Sequence, residues 1–353
     1  MAKADLLNFI NSDEYKQNIY KSKDELPKKI RLDASTVCQL QCPQCYMVRN
    51  KEKVKTTGSK IGFLKFENFK KLVDEYTFEE IELSNSGEIF LNPDLVKIIE
   101  YAYKKGIVLT AQNGVNLNNL SEEQAEALVK YHFDSITVSI DGASPEVYKK
   151  YRVNGDFNQV INNIKKIQKY QKKYKSDYPS IEWKFIIFGH NEHEIEKAKQ
   201  MAKELGVEIV FERQWDDSFS PVKNERAAVE ATGTIWDRSS FKEQIDEFEN
   251  GNIPYFDCLF IWEQPQINHD GRILGCCTLY WDDFSQEGYN VFEDGYLKAM
   301  NSPKLVYAKN MLMNKVPAAD DIPCTKCWVY QDLCSYPKWP FNPLKEQNLP
   351  DKF

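Results

Sequence analysis

Three cysteines stand close together near the start of the chain, at Cys38, Cys42 and Cys45. A single loop can present all three thiolates to one metal centre. A structural zinc site is normally closed by four protein ligands, whereas a 4Fe-4S cluster held by three thiolates keeps one iron open to a further ligand. The neighbouring Gln39 and Gln41 are not typical of a hydrophobic core. The pattern therefore indicates an iron-sulfur site with an open iron.

The other six cysteines all follow residue 257. They are Cys258, Cys276, Cys277, Cys324, Cys327 and Cys334. Four of them, taken from three separate segments, would complete a metal site without an open position. Asp270 and Gly271 predict a hairpin turn that brings Cys258 and Cys276 together across two short strands. The cysteine spacing alone suits zinc as well as an iron-sulfur cluster.

The composition narrows the class of protein. The 353 residues are 42% hydrophobic and 28% charged, which is the ordinary range of a globular chain. A formal net charge of -7 argues against a general nucleic-acid binder. No apolar run approaches the roughly 18 residues of a membrane helix, and the N-terminal segment lacks a secretory signal. We therefore expect a cytoplasmic protein with no nucleic-acid or membrane partner and no structural disulfides.

Six short apolar runs alternate with amphipathic helical patterns, which predicts a parallel sheet built from βα units. The strands are predicted at residues 30–34, 81–84, 107–111, 135–140, 181–188 and 207–211. A capping box from Ser121 to Gln124, Pro145 in a first turn and Gly206 after a last turn mark helix ends. Six units fall short of an eight-stranded barrel, so the expected fold class is α/β, a partial (βα)6 TIM-like barrel followed by a small cysteine-rich α+β domain.

The expected domain boundaries follow from the same changes in pattern. Residues 1–26 form an N-terminal helical extension, 27–225 the partial barrel, 226–250 a linker with a helix, 251–335 the second cysteine domain and 336–353 an extended tail. In a parallel sheet, ligands bind beyond the carboxyl ends of the strands. The first cysteine loop follows the first strand directly and so lies at that edge.

The motif CxxxCxxC at Cys38, Cys42 and Cys45, after a first strand and ahead of repeated βα units, resembles the radical SAM superfamily. The resemblance implies that these cysteines hold a 4Fe-4S cluster whose open iron binds S-adenosylmethionine (SAM). It also implies reductive cleavage of SAM to a 5'-deoxyadenosyl radical, which abstracts hydrogen from the substrate. A flavodoxin- or ferredoxin-like protein would donate the electron. The protein's own part is to position and shield these cofactors.

Other positions match this family in chain order. Ser86, Gly87 and Glu88 resemble the Gly-Gly-Glu element that receives the methionine ammonium group, with Ser86 in place of the first glycine. Glu88 would supply the opposite charge, and Gly87 would let the backbone approach the ligand. Asn113, followed by Gly114, resembles the family's Asn-Gly turn after the third strand.

Further candidates for SAM contacts follow later strands. Ser139 and Asp141 resemble the element that contacts the ribose or carboxylate of SAM, and Arg152 is a catalytic candidate that could pair with a carboxylate. Tyr46 takes the place of the aromatic residue that family members carry beside adenine. Arg213, at the end of the sixth strand, is a candidate contact for SAM or substrate.

The second cysteine group resembles the auxiliary-cluster domains of radical SAM enzymes, the SPASM and twitch domains. The matching text is Cys258 to Trp262, the Asp270-Gly271 hairpin, Cys276-Cys277 and the pair Cys324 and Cys327. The shorter, single-cluster twitch form fits the number of cysteines better. The resemblance implies an auxiliary 4Fe-4S cluster on Cys258, Cys276, Cys324 and Cys327. It leaves open which of Cys276 and Cys277 is a ligand, and whether Cys334 is a spare, a substitute ligand or a catalytic thiol.

Several reactions are open to such a protein. The leading hypothesis is a radical SAM oxidoreductase that dehydrogenates a small polar metabolite, such as an aminocyclitol or amino sugar. One alternative is modification of a ribosomally synthesised peptide. A second is a radical epimerase in which Cys334 or Cys277 returns a hydrogen atom, and a third is a non-catalytic iron-sulfur or zinc protein.

Overall fold

The computed structural model describes residues 2–49, 61–214, 217–233, 258, 260–276, 284–327 and 329–331. Cys277, Cys334, the predicted tail at 336–353 and most of the predicted linker at 226–250 lie outside the described residues. Among the helices that are described, none combines the length and the apolar character needed to cross a membrane.

The strands of the described residues follow one another along the chain. They are β1 (Lys29–Leu32), β2 (Glu80–Glu82), β3 (Val108–Val115), β4 (Ser135–Ser139), β5 (Ser180–Ile187), β6 (Glu208–Arg213), β7 (Gln266–Ile267) and β8 (Ile273–Gly275). The first six lie where the hydrophobic runs predict them, within a few residues at each end. The expected fold class, an α/β protein with a parallel sheet, is confirmed.

The helices connect these strands. They are α1 (Leu6–Phe9), α2 (Asp13–Gln17), α3 (Tyr46–Arg49), α4 (Phe66–Glu75), α5 (Leu95–Lys105), α6 (Glu122–Lys130), α7 (Pro145–Tyr151), α8 (Phe157–Tyr174), α9 (Ile195–Leu205), α10 (Glu225–Thr232), α11 (Phe260–Glu263), α12 (Tyr296–Met300) and α13 (Pro303–Leu312). The Ser121 capping box starts α6, Pro145 opens α7, and Gly206 ends α9 with a left-handed φ of 67°. All three predicted helix signals are confirmed.

The chain divides into two compact units. Unit 1 takes the described residues of segments 1–32, 67–79 and 247–353, and unit 2 those of 33–66 and 80–246. In unit 2 the strands lie in the order β6-β5-β4-β3-β2, with every pair parallel. In unit 1, β1 pairs in parallel with β7, which forms an antiparallel hairpin with β8. The hairpin predicted at Asp270-Gly271 is therefore confirmed, with Gly271 at a φ of 88°.

The strands of unit 2 alternate between apolar and polar side chains. Ile136, Val138 and Trp183 are fully buried on one face of the sheet. Thr137 and Glu182 lie on the opposite face, where the Thr137 hydroxyl donates to Glu182 Oε1 at 3.2 Å. A parallel sheet that is apolar on both faces would carry near-continuous hydrophobic strands. This sheet therefore has one buried apolar face and one polar face.

The N-terminal helices belong to unit 1 and are held there by polar contacts. The Asn301 side chain accepts a hydrogen bond from the Tyr20 backbone N–H and donates one to the Tyr20 carbonyl, each at 2.8 Å. Buried Asn18 donates to Asn310 at 2.9 Å. These bonds satisfy backbone groups that would be costly to bury without partners.

Lys309 lies on α13 with its ammonium group buried. Its Nζ donates to the Tyr20 hydroxyl at 2.9 Å and lies 4.5 Å from the centre of the Tyr20 ring. Burial lowers the pKa of Lys309 from its usual 10.5 to about 7, because a charged ammonium is disfavoured away from water. Between pH 7 and pH 10.5 the unfolded chain therefore binds a proton that the folded chain does not, and stability rises with pH.

Replacing Lys309 by Met should stabilise unit 1 at neutral pH. The burial cost of the lysine is roughly 5 kcal/mol at 1.4 kcal/mol per pKa unit, and the Tyr20 hydroxyl loses a partner worth about 1 to 3 kcal/mol. We expect a net gain of about 2 kcal/mol at pH 7 that shrinks towards pH 10, measured by anaerobic urea unfolding. Exposed Lys298→Met, the matched control, should change little at either pH. A gain that does not depend on pH would contradict the assigned cause.

Candidate functional site

The three N-terminal cysteines lie in the loop that precedes α3. The backbone N–H of Cys45 donates to the Cys42 carbonyl oxygen at 3.0 Å, which closes a turn of this loop. Cys42 is buried in an apolar cluster with Tyr151 and Phe188, and the partly buried Cys38 and Cys45 pack against it. The sequence-predicted thiols are thus brought to one apolar patch of unit 2.

The surroundings of Cys38 and Cys42 oppose the ionisation of these two thiols. The pKa of Cys38 is raised to about 12, mainly by burial and to a smaller extent by Glu88 and the other two cysteines, while the backbone N–H of Leu40 acts in the opposite direction. Burial likewise raises the pKa of Cys42, while Arg152 opposes the shift. A bound iron centre supplies the positive charge that such thiolates need, so these residues fit a cationic metal group.

Gly87 packs directly against the cysteine loop. It has a φ of 64°, and an added Cβ would lie 2.6 Å from the Ser35 carbonyl oxygen and 2.7 Å from that of Val37. The next residue, Glu88, donates its backbone N–H to the Val37 carbonyl at 2.8 Å. The glycine thus permits two backbone segments of the chain to meet, in addition to the approach to a ligand that the resemblance implies.

The Glu88 carboxylate is fully buried beside this loop. It accepts hydrogen bonds from the backbone N–H of Asn116 at 2.6 Å and of Phe90 at 3.3 Å. Burial raises the pKa of Glu88 to about 7, although the backbone N–H groups of Asn116, Phe90 and Leu117 act in the opposite direction. A cation that reaches this carboxylate would favour its ionised form.

Asn116 is a residue of this site that the sequence reasoning missed. It is 5% exposed, its backbone contacts Glu88, and its side-chain amide donates to Cys38 Sγ at 3.6 Å. Its position just after β3, at the edge where polar residues follow the strands, is the only signal for it in the sequence.

Asn113 and Gly114 lie within β3, not in a turn after the third strand as predicted, and beside the end of β4. The pairing of β3 with β4 shifts register between Ala111 and Val115, so a bulge includes Asn113 and Gly114. A Cβ on Gly114 would lie 2.6 Å from Ser139 Oγ, which means that only glycine allows this approach. The structure therefore brings the predicted Asn113 and Ser139 segments together.

Asp141 and Arg152 form a buried ion pair. Arg152 Nε donates to Asp141 Oδ2 at 2.6 Å, and the Asp141 side chain is fully buried. Arg152 Nη1 also lies 4.0 Å from Cys42 Sγ. Asp141 Oδ1 accepts from the backbone N–H of Ile186 at 2.9 Å, which ties the pair to β5. The guanidinium thus places a positive charge beside the cysteine loop.

The remaining predicted residues lie in different surroundings. Tyr46 is half-buried at the start of α3, and Ser86 is half-buried ahead of Gly87. Arg213 forms a two-pronged ion pair with Glu225 at the start of α10, at 2.7 and 2.9 Å. The described contacts give Arg213 a partner within unit 2, and its predicted contact with SAM or substrate stays a prediction.

The polar face of the unit 2 sheet lines a cavity of about 720 Å³. Its lining includes Gln112, Thr137, Glu182, Lys184 and Glu212. Within this lining, Lys184 of β5 and Glu212 of the neighbouring β6 form an ion pair at 3.0 Å. The volume lies within the range of small-molecule and side-chain sites, and the polar lining suits a ligand that forms hydrogen bonds.

The C-terminal cysteines of the described residues belong to unit 1. Cys276 follows β8, while Cys324 and Cys327 lie in and just after a short 3-10 helix at Pro323–Lys326. Cys276 and Cys327 lie near enough to Cys324 to raise its pKa, after the larger effect of burial. Three of the four predicted auxiliary ligands are therefore near one another, and Cys258 lies just before α11.

Among the described residues, no three His, Cys, Asp or Glu side chains converge as a single metal ion requires. A 4Fe-4S cluster is larger, and each thiolate binds a different iron. The donor sets consist of thiols, with a buried carboxylate beside the N-terminal set. Both sets therefore fit 4Fe-4S clusters. The three-thiol set of unit 2 would leave one iron open.

Comparison with known proteins defines the class. Residues 33–205 match the model of the Radical SAM superfamily. These residues contain the cysteine loop, Glu88, Asn113 and the Asp141-Arg152 pair. Residues 33–205 therefore form a domain of this family.

Two named relatives are similar in sequence. The antilisterial bacteriocin subtilosin biosynthesis protein AlbA of Bacillus subtilis is 28% identical over 298 residues, or 79% of this chain and 60% of AlbA. A probable GTP 3',8-cyclase of Methanocaldococcus jannaschii is 32% identical over 145 residues, or 39% of this chain and 45% of the cyclase. The chain thus spans less than two thirds of either relative.

The fold is similar to that of solved structures of SuiB from Streptococcus suis. The SAM-bound structure matches with a TM-score of 0.58 and 12% identity, over 91% of this chain and 76% of SuiB. The structure of SuiB bound to its precursor peptide SuiA matches with a TM-score of 0.57, over 94% of this chain and 76% of SuiB. The likeness therefore takes in the C-terminal cysteine region as well as the sheet.

The sequence-based recognition is confirmed. The chain is a radical SAM protein with an auxiliary-cluster region of the SPASM or twitch type. Its cofactors are SAM and a SAM-binding 4Fe-4S cluster, with an auxiliary 4Fe-4S cluster in addition.

Replacing Gly87 by Ala should displace the cysteine loop. The added Cβ meets two backbone carbonyls at under 3 Å, and neither can move without shifting Cys38 or Glu88. We expect anaerobically reconstituted protein to lose about four of roughly eight irons, together with SAM binding.

Gly206→Ala is the matched control for this change. Gly206 has nearly the same φ, 67°, but nothing lies within 4 Å of an added Cβ. It should cost only the backbone strain, about 1 kcal/mol, with full iron content. Equal iron content in the two variants would show that the Gly87 contact does not hold the cysteine loop.

Proposed function

We propose that this radical SAM enzyme modifies a ribosomally synthesised peptide. AlbA, which is similar over 79% of the chain, is named for biosynthesis of the bacteriocin subtilosin. SuiB, which is similar in fold, has been solved with its precursor peptide. The relationship to AlbA is the observation that carries the proposal. The alternative of a small polar metabolite as substrate has less support from these comparisons.

Within this proposal, Cys38, Cys42 and Cys45 hold the SAM-binding cluster. When bound, the cluster and SAM supply a radical that abstracts hydrogen. The protein's task is to place SAM beside the thiols and to keep water away. The buried apolar cluster of Cys42, Tyr151 and Phe188 would keep water away from the thiols.

Glu88 would receive the ammonium group of SAM. Its carboxylate is buried and already oriented by two backbone N–H groups, so binding costs little reorganisation. Asn113, Ser139 and Asp141 lie at neighbouring strand ends and would contact the rest of SAM. Arg152 stays paired with Asp141 in this arrangement and would act on SAM through it.

The polar cavity would accept part of the peptide. Its lining of hydroxyl, amide and charged groups can pair with a peptide backbone or polar side chains. Cys258, Cys276, Cys324 and Cys327 would hold the auxiliary cluster, which could accept an electron from the substrate radical. Cys277 and Cys334 remain candidates for a thiol that returns hydrogen, and a flavodoxin- or ferredoxin-like protein would be the reductant.

The proposal is tested with short peptides encoded beside the gene. Reconstituted enzyme, dithionite and SAM are incubated with each synthetic peptide, and the products are analysed by mass spectrometry. We expect one peptide to lose two hydrogens, or to exchange deuterium from heavy water, with 5'-deoxyadenosine formed in proportion. The negative control is the variant in which Cys38, Cys42 and Cys45 are all replaced by Ala.

An aminocyclitol serves as the competing substrate in the same assay. Oxidation of the aminocyclitol, with every peptide recovered unchanged, would overturn the proposal in favour of metabolite dehydrogenation. Formation of 5'-deoxyadenosine by the triple variant would instead remove these cysteines from the cluster site.

Glu88→Gln should weaken SAM binding and remove its pH dependence. Loss of a charged hydrogen bond at a buried site costs about 2 to 3 kcal/mol, or roughly thirtyfold or more in affinity. In the native protein the Glu88 carboxyl takes up a proton as pH falls through about 7, so SAM affinity should fall below that pH by up to about tenfold per unit. Equilibrium dialysis with labelled SAM at roughly pH 6 to 8 measures both effects.

Glu82→Gln is the control for this change. Glu82 is also a buried carboxylate of unit 2, and it accepts hydrogen bonds from Ser84, Thr110 and Gln112. This variant should keep the pH dependence of SAM affinity. If Glu88→Gln also keeps it, Glu88 does not receive the ammonium group.

A further inference from the structure

Asn116 connects the two parts of the SAM site. Its backbone N–H donates to Glu88 Oε2 at 2.6 Å, and its side-chain Nδ2 lies 3.6 Å from Cys38 Sγ. The residue is 5% exposed, so these groups have little access to water. A buried amide of this kind is expected to use its donors on specific acceptors.

The orientation of the Asn116 amide is fixed by its neighbours. The backbone N–H of Asn118 lies 3.0 Å from Oδ1, and a backbone N–H can only donate. Gln39 Nε2 also donates to Oδ1, at 2.8 Å. The oxygen end therefore faces Asn118 and Gln39 Nε2, and the N–H end faces Cys38 Sγ and, at 3.4 Å, Gln39 Oε1.

Two neighbouring residues, Leu117 and Asn163, support the loop that carries Asn116. Leu117 has a φ of 54°, a conformation that a branched side chain rarely adopts, and its side chain is fully buried. The buried Asn163 on α8 donates to the Leu117 carbonyl at 2.8 Å. These contacts support the loop, while the bonds of Asn116 itself to Glu88, Gln39 and Asn118 hold its amide beside Cys38.

We propose that Asn116 donates an N–H···S hydrogen bond to Cys38 when this thiolate holds the cluster, and so raises the reduction potential of that cluster. The inference rests on the proposed role of Cys38 as a cluster ligand. One-electron reduction by an external donor adds negative charge, which spreads onto the thiolates. A donor to a thiolate sulfur stabilises the reduced form more than the oxidised form. Asn116 is therefore a positioning and tuning residue.

The test is a redox titration of the holoenzyme, with the reduced cluster followed by its electron paramagnetic resonance signal. The signal that changes on addition of SAM identifies the cluster with the open iron. Asn116→Leu should make reduction about tenfold less favourable, which is about 59 mV more negative for a one-electron couple. The isosteric Asn116→Asp, which also places a carboxylate beside the sulfur, should shift the potential further in the same direction.

Asn163→Leu is the matched control, because Asn163 holds the same loop without touching a sulfur. It should leave the potential of the SAM-responsive cluster unchanged. An unchanged potential in Asn116→Leu at full iron content overturns the proposal, as does an equal shift in Asn163→Leu. Loss of the cluster in both Asn116 variants would also overturn it, in favour of a purely structural role.

The underlying ligand assignment fails in a different way. If Cys38→Ala keeps a SAM-responsive cluster, Cys38 is not a ligand, whatever the Asn116 variants do. Loss of that cluster in Cys38→Ala with unchanged potential in Asn116→Leu would leave the ligand assignment standing and remove only the hydrogen bond.

Discussion

The backbone contact between Gly87 and the cysteine loop positions the rest of the site. The Glu88 N–H bonds the Val37 carbonyl, and the absence of a Cβ on Gly87 allows the two segments to approach. Because Cys38 follows Val37 directly, the thiol and the Glu88 carboxylate are fixed relative to each other. Asn116 then closes the arrangement by bonding both. A shift at this one contact would separate the proposed metal ligands from the proposed ammonium site.

The polar face of the sheet is the second constraint. In unit 2 most apolar residues of the strands lie on one face, so the polar groups of the other face must be satisfied by hydrogen bonds or by ligand. Glu82 shows how this is achieved, since its two oxygens accept from Ser84, Thr110 and Gln112. Nearer the cavity, Lys184 pairs with Glu212. A substrate that enters the cavity therefore meets groups already oriented by their neighbours, which favours polar recognition.

The sequence predicts the positions of the strands and helices better than the contacts between their side chains. Strand positions follow from the local alternation of side chains, and helix ends from the capping residues at Ser121 and Gly206, so both are encoded within a few residues. The amide of Asn116 and the partner of Arg213 depend on residues that are distant in sequence or lie in another element. Motif order indicated that Glu88 belongs to the site, but its bonds to backbone N–H groups require the folded chain.

The same limit applies to the auxiliary cysteines. The sequence pattern predicts an N-terminal helical extension at residues 1–26, and in the structure these helices belong to the compact unit that contains Cys324. The backbone N–H of Ala4 donates to the Asp321 carboxylate at 2.7 Å, and the Ala2 carbonyl accepts from the Asp320 N–H at 3.0 Å. Asp321 lies three residues before Cys324, so the start of the chain braces the segment that presents this thiol. Sequence distance conceals this arrangement, because the two segments are more than 300 residues apart.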